Sequence, residues 1–280
     1  MAADSPLTSL TLAAGSVADD LGYVALKDLS EVLGDIAAEY RVIGGHMVTV
    51  LAARWGLGSR LYRETGDVDL GIPPVIARDE RVVGRLKDIS YEQIAGNRLA
   101  RRMLDIPAGL PGESDPRSHQ ALIDVLVPAY TSRARENVRV GDDLFTTEVP
   151  GLQLALARPA VVIGLELQRL NGQVLRCEVP FADELSALVL KGLATTVRAK
   201  DTDVSDVWRC LEIAFAAGLG PGDFATGVRA EAASVIRAMF SGHRGAAMAA
   251  LAAEQRLSAE AATQRLTRLR ALVNRVLGPV

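Results

Sequence analysis

The stretch Val42–Ile72, VIGGHMVTVLAARWGLGSRLYRETGDVDLGI, holds the features on which the fold prediction depends. A short apolar run before Gly44 and Gly45 predicts a strand, and the residues that follow predict a helix starting just after the glycines. The run around Asp67 and Asp69 predicts a second strand. Strand residues two positions apart share one face, so these two carboxylates would point the same way.

The bulk composition excludes several classes of protein. The formal net charge of -3 over 280 residues does not indicate nucleic-acid binding by the chain as a whole, although it leaves a local basic patch open. Two cysteines, Cys177 and Cys210, indicate neither a disulfide framework nor a cysteine-based zinc site, and they fit a reducing cytosol. The N-terminus lacks the basic region of a signal peptide, and no apolar run reaches the ~18 residues of a membrane span. We therefore expect a cytoplasmic protein.

The remaining patterns predict a sheet followed by helices. After a polar leader, apolar residues at helical spacing predict a helix over residues 23–40. HQALIDVLVPAY, residues 119–130, is apolar on both faces and predicts a central strand. Two later apolar runs predict a hairpin with a turn at Asn171-Gly172. From Phe181 onward, Ala/Leu-rich segments predict helices.

These elements predict an α+β fold. Residues 1–182 would form a domain with a mixed sheet, and residues 183–280 a helical domain. The Pro/Gly-rich segment at residues 105–118 predicts an exposed loop.

The aspartates favour a metal site. Asp124 lies in the middle of the predicted central strand, where an unpaired ionised side chain would be costly to bury. With Asp67 and Asp69 it would complete a set of three carboxylates, and hard oxygen ligands of this kind suit Mg²⁺. A calcium loop is excluded because Gly71 stands where the third oxygen ligand should be. The alternative is that Asp67 and Asp69 are solvated residues at a strand edge.

The Gly44-Gly45 pair lies 22 positions before Asp67, counted from Gly45. Glycines between a strand and a helix let the backbone approach a ligand, and the helix N-terminus offers free N–H groups to phosphate. A phosphate site and a metal site would then share one pocket. The alternative for the glycines is a simple tight turn.

The order Gly-Gly, helix, R-x-T-x-D-x-D and an Asp-bearing apolar strand resembles the polymerase-beta-like nucleotidyltransferase superfamily. Together with ALVLKGLATTVRAKDTDVSDVWRCLE, it is similar to the AbiEii-type nucleotidyltransferase toxins, which include the MenT toxins. These are the toxic partners of type IV toxin–antitoxin and abortive-infection systems. The likeness covers roughly residues 40–215 and implies an enzyme that transfers a nucleotide from a nucleoside triphosphate (NTP). It further implies that residues 1–182 form the catalytic domain and that the helical domain, residues 183–280, completes the active-site cleft.

The resemblance implies a role for each matching residue. Phosphate and nucleotide contacts fall to Gly44, Gly45, His46, Thr65, Lys191, Arg198 and Lys200. The metal ligands would be Asp67, Asp69 and Asp124, holding two Mg²⁺ ions, and Asp124 would help to deprotonate the attacking hydroxyl. A further acidic residue is expected in KDTDVSD: Asp206 is favoured over Asp203, although it could equally be a helix N-cap.

Three of these positions keep alternatives. His46 stands where the superfamily commonly has Ser or Thr, so the imidazole would replace a hydroxyl contact to phosphate or simply start the helix. Thr65 would contact phosphate or be a point of covalent control. Lys191, on an apolar helical face, would otherwise be a surface lysine whose stem lies along apolar groups.

The resemblance further implies an RNA acceptor, the tRNA 3′ end, whose modification blocks translation, and a cognate antitoxin. A nucleic-acid acceptor needs positive surface, and basic residues crowd three segments, although such runs are usually solvated faces. They are Arg54, Arg60 and Arg63; Arg78, Arg81, Arg85, Lys87, Arg98, Arg101 and Arg102; and Arg265, Arg268, Arg270 and Arg275. A small-molecule nucleotidyltransferase acting on an aminoglycoside-like substrate, and a non-catalytic interaction protein of the same fold, stay open as alternatives.

Overall fold

A computed structural model describes residues 6, 8–36, 39–106, 119–130, 134–141, 144–197, 201–241 and 259–279. The chain divides into two compact units, Pro6–Ala182 and Asp183–Val280. All the described strands lie in the first unit, and the second is helical. The predicted α+β fold class, with a mixed sheet followed by helices, is therefore confirmed.

The first unit contains ten strands and six helices within its described ranges. The strands are β1 (Ser9–Ala13), β2 (Arg41–Ile43), β3 (Asp67–Gly71), β4 (Glu92–Gln93), β5 (Arg98–Arg102), β6 (Gln120–Pro128), β7 (Val138–Arg139), β8 (Phe145–Val149), β9 (Val161–Gln168) and β10 (Val174–Phe181). The helices are α1 (Val17–Asp35), α2 (Gly44–Arg54), α3 (Gly58–Leu61), α4 (Pro74–Ala77), α5 (Glu80–Asp88) and α6 (Leu152–Ala157).

The sheet has the order β1-β9-β10-β2-β3-β6-β5-β4, with β8 also pairing with β6 and β7 pairing with β8. Strand β6 runs parallel to β3 and antiparallel to β5, so it is central as the apolar pattern predicts. Strands β9 and β10 form the predicted antiparallel hairpin, and Gly172 adopts a φ of 86° in its turn. The sheet therefore places β2, β3 and β6 side by side at its middle.

Two elements near the N-terminus differ from the sequence prediction. Residues 9–13 form β1, which pairs in parallel with β9, where the sequence analysis predicts only a polar leader. The strand was missed because its alternation of exposed and buried residues is short. Helix α2 begins at Gly44 and not after the glycines, so the backbone N–H groups of Gly44 and Gly45 belong to the first turn of the helix.

Helix α1 is fastened to the first unit through three buried aspartates. Asp20 accepts hydrogen bonds from the Arg169 guanidinium (Nη2, 2.8 Å) and from the Leu170 backbone N–H, at the end of the hairpin. Asp28 accepts from Arg101 Nη1 (2.7 Å) on β5 and from the Tyr91 hydroxyl. The third, Asp19, contacts the loop before β3. Each of these buried carboxylates thus accepts hydrogen bonds, as burial of a charged group requires.

The second unit consists of α7 (Glu184–Val197), α8 (Asp201–Ala216), α9 (Gly227–Ser241) and α10 (Ala259–Leu277), with a 3₁₀ turn at Pro221–Phe224. Helix α7 packs on α8 and α9, and buried side chains such as Leu188, Leu211 and Ile236 form its core. The predicted helical segment at residues 244–255 and most of the predicted loop at residues 105–118 lie outside the described residues. None of the helices within the described ranges combines the length and the hydropathy that a membrane span requires.

Candidate active site

The three predicted metal ligands lie on neighbouring strands at the middle of the sheet. Asp69 on β3 is directly opposite Asp124 on β6, and Asp67 lies two residues before Asp69 on β3. Residues opposite each other on paired strands, and residues two apart on one strand, share a face. We call Asp67, Asp69 and Asp124 the aspartate trio. The structure therefore brings the trio to one face of the sheet, as the sequence analysis expects.

Gly44 meets Asp69 at the start of α2. Ile43, the residue before Gly44, pairs with Asp69 across β2 and β3. A Cβ atom at position 44 would lie 1.7 Å from Asp69 Oδ2, so any larger residue would overlap the carboxylate. Gly44 also has a φ of +72°, a conformation that glycine adopts without strain. Glycine at this position is what allows a carboxylate to lie against the N-terminus of the helix.

Gly45 has the same relation to the loop before β3. A Cβ atom there would lie 2.4 Å from Thr65 Oγ1 and 2.8 Å from Arg63 Nη1. Thr65 is buried, with 6% of its surface exposed. The R-x-T-x-D-x-D segment therefore folds back over the first turn of α2, and two of its side chains, Arg63 and Thr65, meet Gly45. The structure brings Gly44, Gly45, Thr65 and the trio together, and their phosphate and metal roles stay predictions.

The loop is held in place by Asp19 of α1. Asp19 Oδ2 accepts a short hydrogen bond from the Tyr62 hydroxyl, and Asp19 Oδ1 accepts one from the Thr65 backbone N–H (3.4 Å). Burial, followed by the hydrogen bond to Asp19, raises the pKa of Tyr62 above its usual value. Sequence reasoning missed this contact, because Asp19 lies far from the motif and carries only the signal of an acidic residue in a helix first turn.

Arg98 on β5 binds two members of the trio. Its guanidinium donates from Nε to Asp124 Oδ1 (2.7 Å) and from Nη2 to Asp124 Oδ2 (2.5 Å), and Nη2 lies 3.4 Å from Asp67 Oδ2. The hydrogen bond to Asp124 is the main cause that raises the pKa of Arg98 above its usual value. The sequence analysis places Arg98 in a basic surface segment. The register opposite Asp124 brings Arg98 into the site, although its side chain is still 37% exposed.

The trio has donors of the kind that Mg²⁺ prefers, but its side chains are not arranged around a metal position. Three carboxylates on one sheet face offer hard oxygen ligands, and the Arg98 guanidinium already supplies a positive charge between two of them. Both Asp124 oxygens are bound by Arg98, so full access of a cation to Asp124 requires that Arg98 release them. Among the residues that the structure describes, no group of three or more His, Cys, Asp or Glu side chains is arranged to hold a metal ion.

His46 is buried beneath the loop. Only 2% of its surface is exposed, its Nε2 has no hydrogen-bond partner among the described residues, and it lies against Gly22 and near the Tyr23 ring of α1. Burial is the main reason that the pKa of His46 is lowered to about 4; the charge of Asp67 opposes this shift and the charge of Arg63 adds to it. The imidazole is therefore neutral at pH 7. This packing favours the interpretation in which His46 forms part of the helix start over direct contact with phosphate.

Lys191 and Asp206 meet in the helical unit. Lys191 Nζ donates to Asp206 Oδ2 at 2.7 Å, and Arg209 Nη1 lies 3.3 Å from Asp206 Oδ1. The three side chains are no more than 7% exposed. The N-cap alternative for Asp206 is wrong, because α8 begins at Asp201.

The other predictions for residues 191–206 have different outcomes. Asp203, the other candidate, is also buried on α8. Arg198 and Lys200 lie outside the described residues. The nucleotide contact predicted for Lys191 stays a prediction.

Comparisons with known proteins yield a distant likeness. Scans against protein-family models and against curated proteins find no match. Among solved structures, the chain is similar to the crystal structure of an antigenic nucleotidyltransferase-like protein from Paracoccidioides brasiliensis. The two are 17% identical with a TM-score of 0.43, over 79% of this chain and 88% of that chain. A likeness of this degree does not place the chain in a family.

Proposed function

We propose that the protein is a Mg²⁺-dependent nucleotidyltransferase whose reacting groups gather at the aspartate trio. The observation that carries the proposal is the contact of the Asp69 carboxylate with Gly44 at the start of α2. This contact sets a metal-ligand type directly beside helix N–H groups of the kind that bind phosphate. A metal–triphosphate complex needs both kinds of group within one small volume.

The chain's own residues divide the work in this proposal. The N–H groups at Gly44 and Gly45 would bind the phosphate oxygens, and the Thr65 hydroxyl, held against Gly45, would orient them. Asp124 would accept the proton of the attacking hydroxyl, since it is the most buried member of the trio. Asp67, Asp69 and Asp124 would hold Mg²⁺, which when bound neutralises the phosphates and lowers the pKa of a coordinated hydroxyl.

For the acceptor we propose an RNA, the tRNA 3′ end. Blocking that end would stop aminoacylation and hence translation, which explains why such an enzyme would act as a toxin and need a cognate antitoxin. RNA binding should weaken steeply as salt is raised, because cationic side chains displace counterions from phosphates. A small cationic acceptor such as an aminoglycoside would bind with a much weaker salt dependence.

The test is to incubate the protein with total RNA, Mg²⁺ and each labelled NTP in turn. We expect label in one RNA size class from one NTP, and at least a ~10³-fold loss in Asp69→Asn, since the amide keeps the shape and removes the charge. Asp88→Asn, at the exposed end of α5, is the matched control and should keep full activity.

Other results of the same assay would contradict the proposal. Full activity in Asp69→Asn would refute the site. Label on a small molecule, with none on RNA, would replace the RNA acceptor by the small-molecule alternative. An absence of transfer from all four NTPs, with a folded protein, would favour a non-catalytic interaction protein.

A further inference from the structure

We propose that Arg98 is a built-in counter-cation of the aspartate trio, which competes with free divalent cation for Asp124 and so restricts metal binding. The inference rests on the proposed function, because it assumes that the trio is a metal site. It assigns to Arg98 a regulatory role that neither the sequence motif nor the trio itself contains.

Arg98 and Asp124 form a bidentate ion pair. Arg98 donates two parallel hydrogen bonds to the two oxygens of Asp124, at 2.7 and 2.5 Å, and its Nη2 also approaches Asp67. A bidentate guanidinium–carboxylate pair is among the stronger side-chain interactions. A cation that coordinates Asp124 must use the same oxygens, and it also meets the positive charge of the guanidinium. Arg98 and the metal therefore exclude one another at Asp124.

Arg98 is held next to Asp124 by the strand that carries it. Arg98 lies on β5 directly opposite Asp124 on β6, in the middle of a strand ladder. A group attached in this way has a high effective concentration at its partner, so it reduces the affinity for free metal at every protein concentration. Its side chain is 37% exposed, whereas that of Asp124 is 13% exposed. Of the two partners, Arg98 is the one with room to turn outward.

After it turns outward, Arg98 can bind a phosphate group in place of Asp124. A guanidinium binds phosphate oxygens with the same fork geometry that it uses on carboxylates. A metal ion that arrives with a triphosphate offers Arg98 a replacement partner, whereas a free metal ion offers none. The exchange of partners thus favours the metal–nucleotide complex over the bare cation, and between turnovers Arg98 compensates part of the negative charge of the trio.

The experiment measures Mn²⁺ binding to the full chain without nucleotide, by the loss of the free-ion EPR signal. We expect weak binding to the wild type, and binding about tenfold tighter to Arg98→Gln, which lacks the competing guanidinium. Arg102→Gln is the matched control, since Arg102 is an exposed arginine on the same strand, and it should bind as the wild type does. Arg98→Lys keeps the charge without the fork, and it should bind Mn²⁺ more tightly than the wild type and less tightly than Arg98→Gln.

The double variant Arg98→Gln/Asp124→Asn shows where the gain arises, because it should lose the added affinity. Thermal unfolding with and without Mn²⁺ is the second measurement: the metal should raise the midpoint more in Arg98→Gln than in the wild type. A folded Arg98→Gln that binds Mn²⁺ no more tightly than Arg102→Gln overturns the inference and leaves the proposed function untouched. No binding by any variant overturns both. Tight binding by Arg98→Gln, with no nucleotide transfer by the wild type, overturns the proposed function alone.

Discussion

Two clusters of opposite charges occupy the two units of the protein, and they differ in their access to water. In the sheet unit, Arg98 pairs with Asp67 and Asp124, and the three side chains are 13–40% exposed. In the helical unit, Lys191 pairs with Asp206, and both are at most 7% exposed. A cluster that water reaches can exchange its cation at low cost, whereas a buried pair cannot lose a partner without leaving a naked charge. The first arrangement suits exchange and the second suits rigidity.

The largest effect is expected in the buried cluster. Lys191→Met should lower the free energy of unfolding by about 3–5 kcal/mol, because it leaves the Asp206 carboxylate buried without its ammonium partner. Urea denaturation checks this value. Lys87→Met, at an exposed position of α5, is the control and should change stability by less than ~0.5 kcal/mol. A loss as small as that of the control would mean that Arg209 alone satisfies Asp206, and the contrast between the two clusters would fail.

Gly44→Ala should cost about 3 kcal/mol. The added Cβ would overlap Asp69 Oδ2, and alanine would also be forced to a positive φ. Gly34→Ala in α1 is the control, since a Cβ there meets no atom of the described residues within 4 Å and alanine is the better helix former. Thermal unfolding of the two variants should move in opposite directions. If Gly44→Ala is as stable as the wild type, Asp69 does not need its place beside the helix.

His46 makes stability depend on pH. Its pKa is about 4 in the folded protein, against 6.5 for an unperturbed histidine side chain, so between these pH values the unfolded chain binds a proton that the folded chain does not. Stability should therefore fall as pH decreases through this window, by about 2 kcal/mol for this residue between pH 7.5 and pH 5.

The check is to compare urea denaturation of the wild type and of His46→Gln at the two pH values. The variant should show a smaller loss at pH 5, since glutamine does not titrate. An equal loss in both proteins would show that carboxylates alone account for the pH dependence.

Arg98→Gln is expected to have the smallest effect on stability, ~1 kcal/mol, because the pair is partly solvated and water replaces the lost hydrogen bonds. Chemical denaturation beside Lys191→Met compares the two clusters directly. A loss equal to that in Lys191→Met would show that Arg98 is a structural anchor, and it would weaken the case for cation exchange at Asp124.

The elements of the sheet could be predicted because each has a local signature. Alternation placed Asp67 and Asp69 on one face of β3, and the continuous apolar run marked β6 as central. Register between strands has no such signature. The position of Arg98 opposite Asp124 depends on how β5 aligns with β6, which the sequence of neither strand specifies.

The long-range contacts of α1 were equally hidden. The hydrogen bonds from Tyr62 and Thr65 to Asp19 join residues more than 40 positions apart. An acidic residue in the first turn of a helix is adequately explained by the helix dipole, so nothing in the sequence marks Asp19 for a second role. Contacts of this kind become visible only when the helix and the loop are placed together.

The three aspartates of α1 connect this helix to three separate parts of the sheet unit. Asp19 fixes the loop before β3, Asp20 the end of the β9–β10 hairpin, and Asp28 the strand that carries Arg98. A tilt of α1 would therefore shift Thr65 and Arg98 in concert, relative to the helix start at Gly44. A small molecule or a partner that displaced α1 would misalign the chemistry without touching any reacting group.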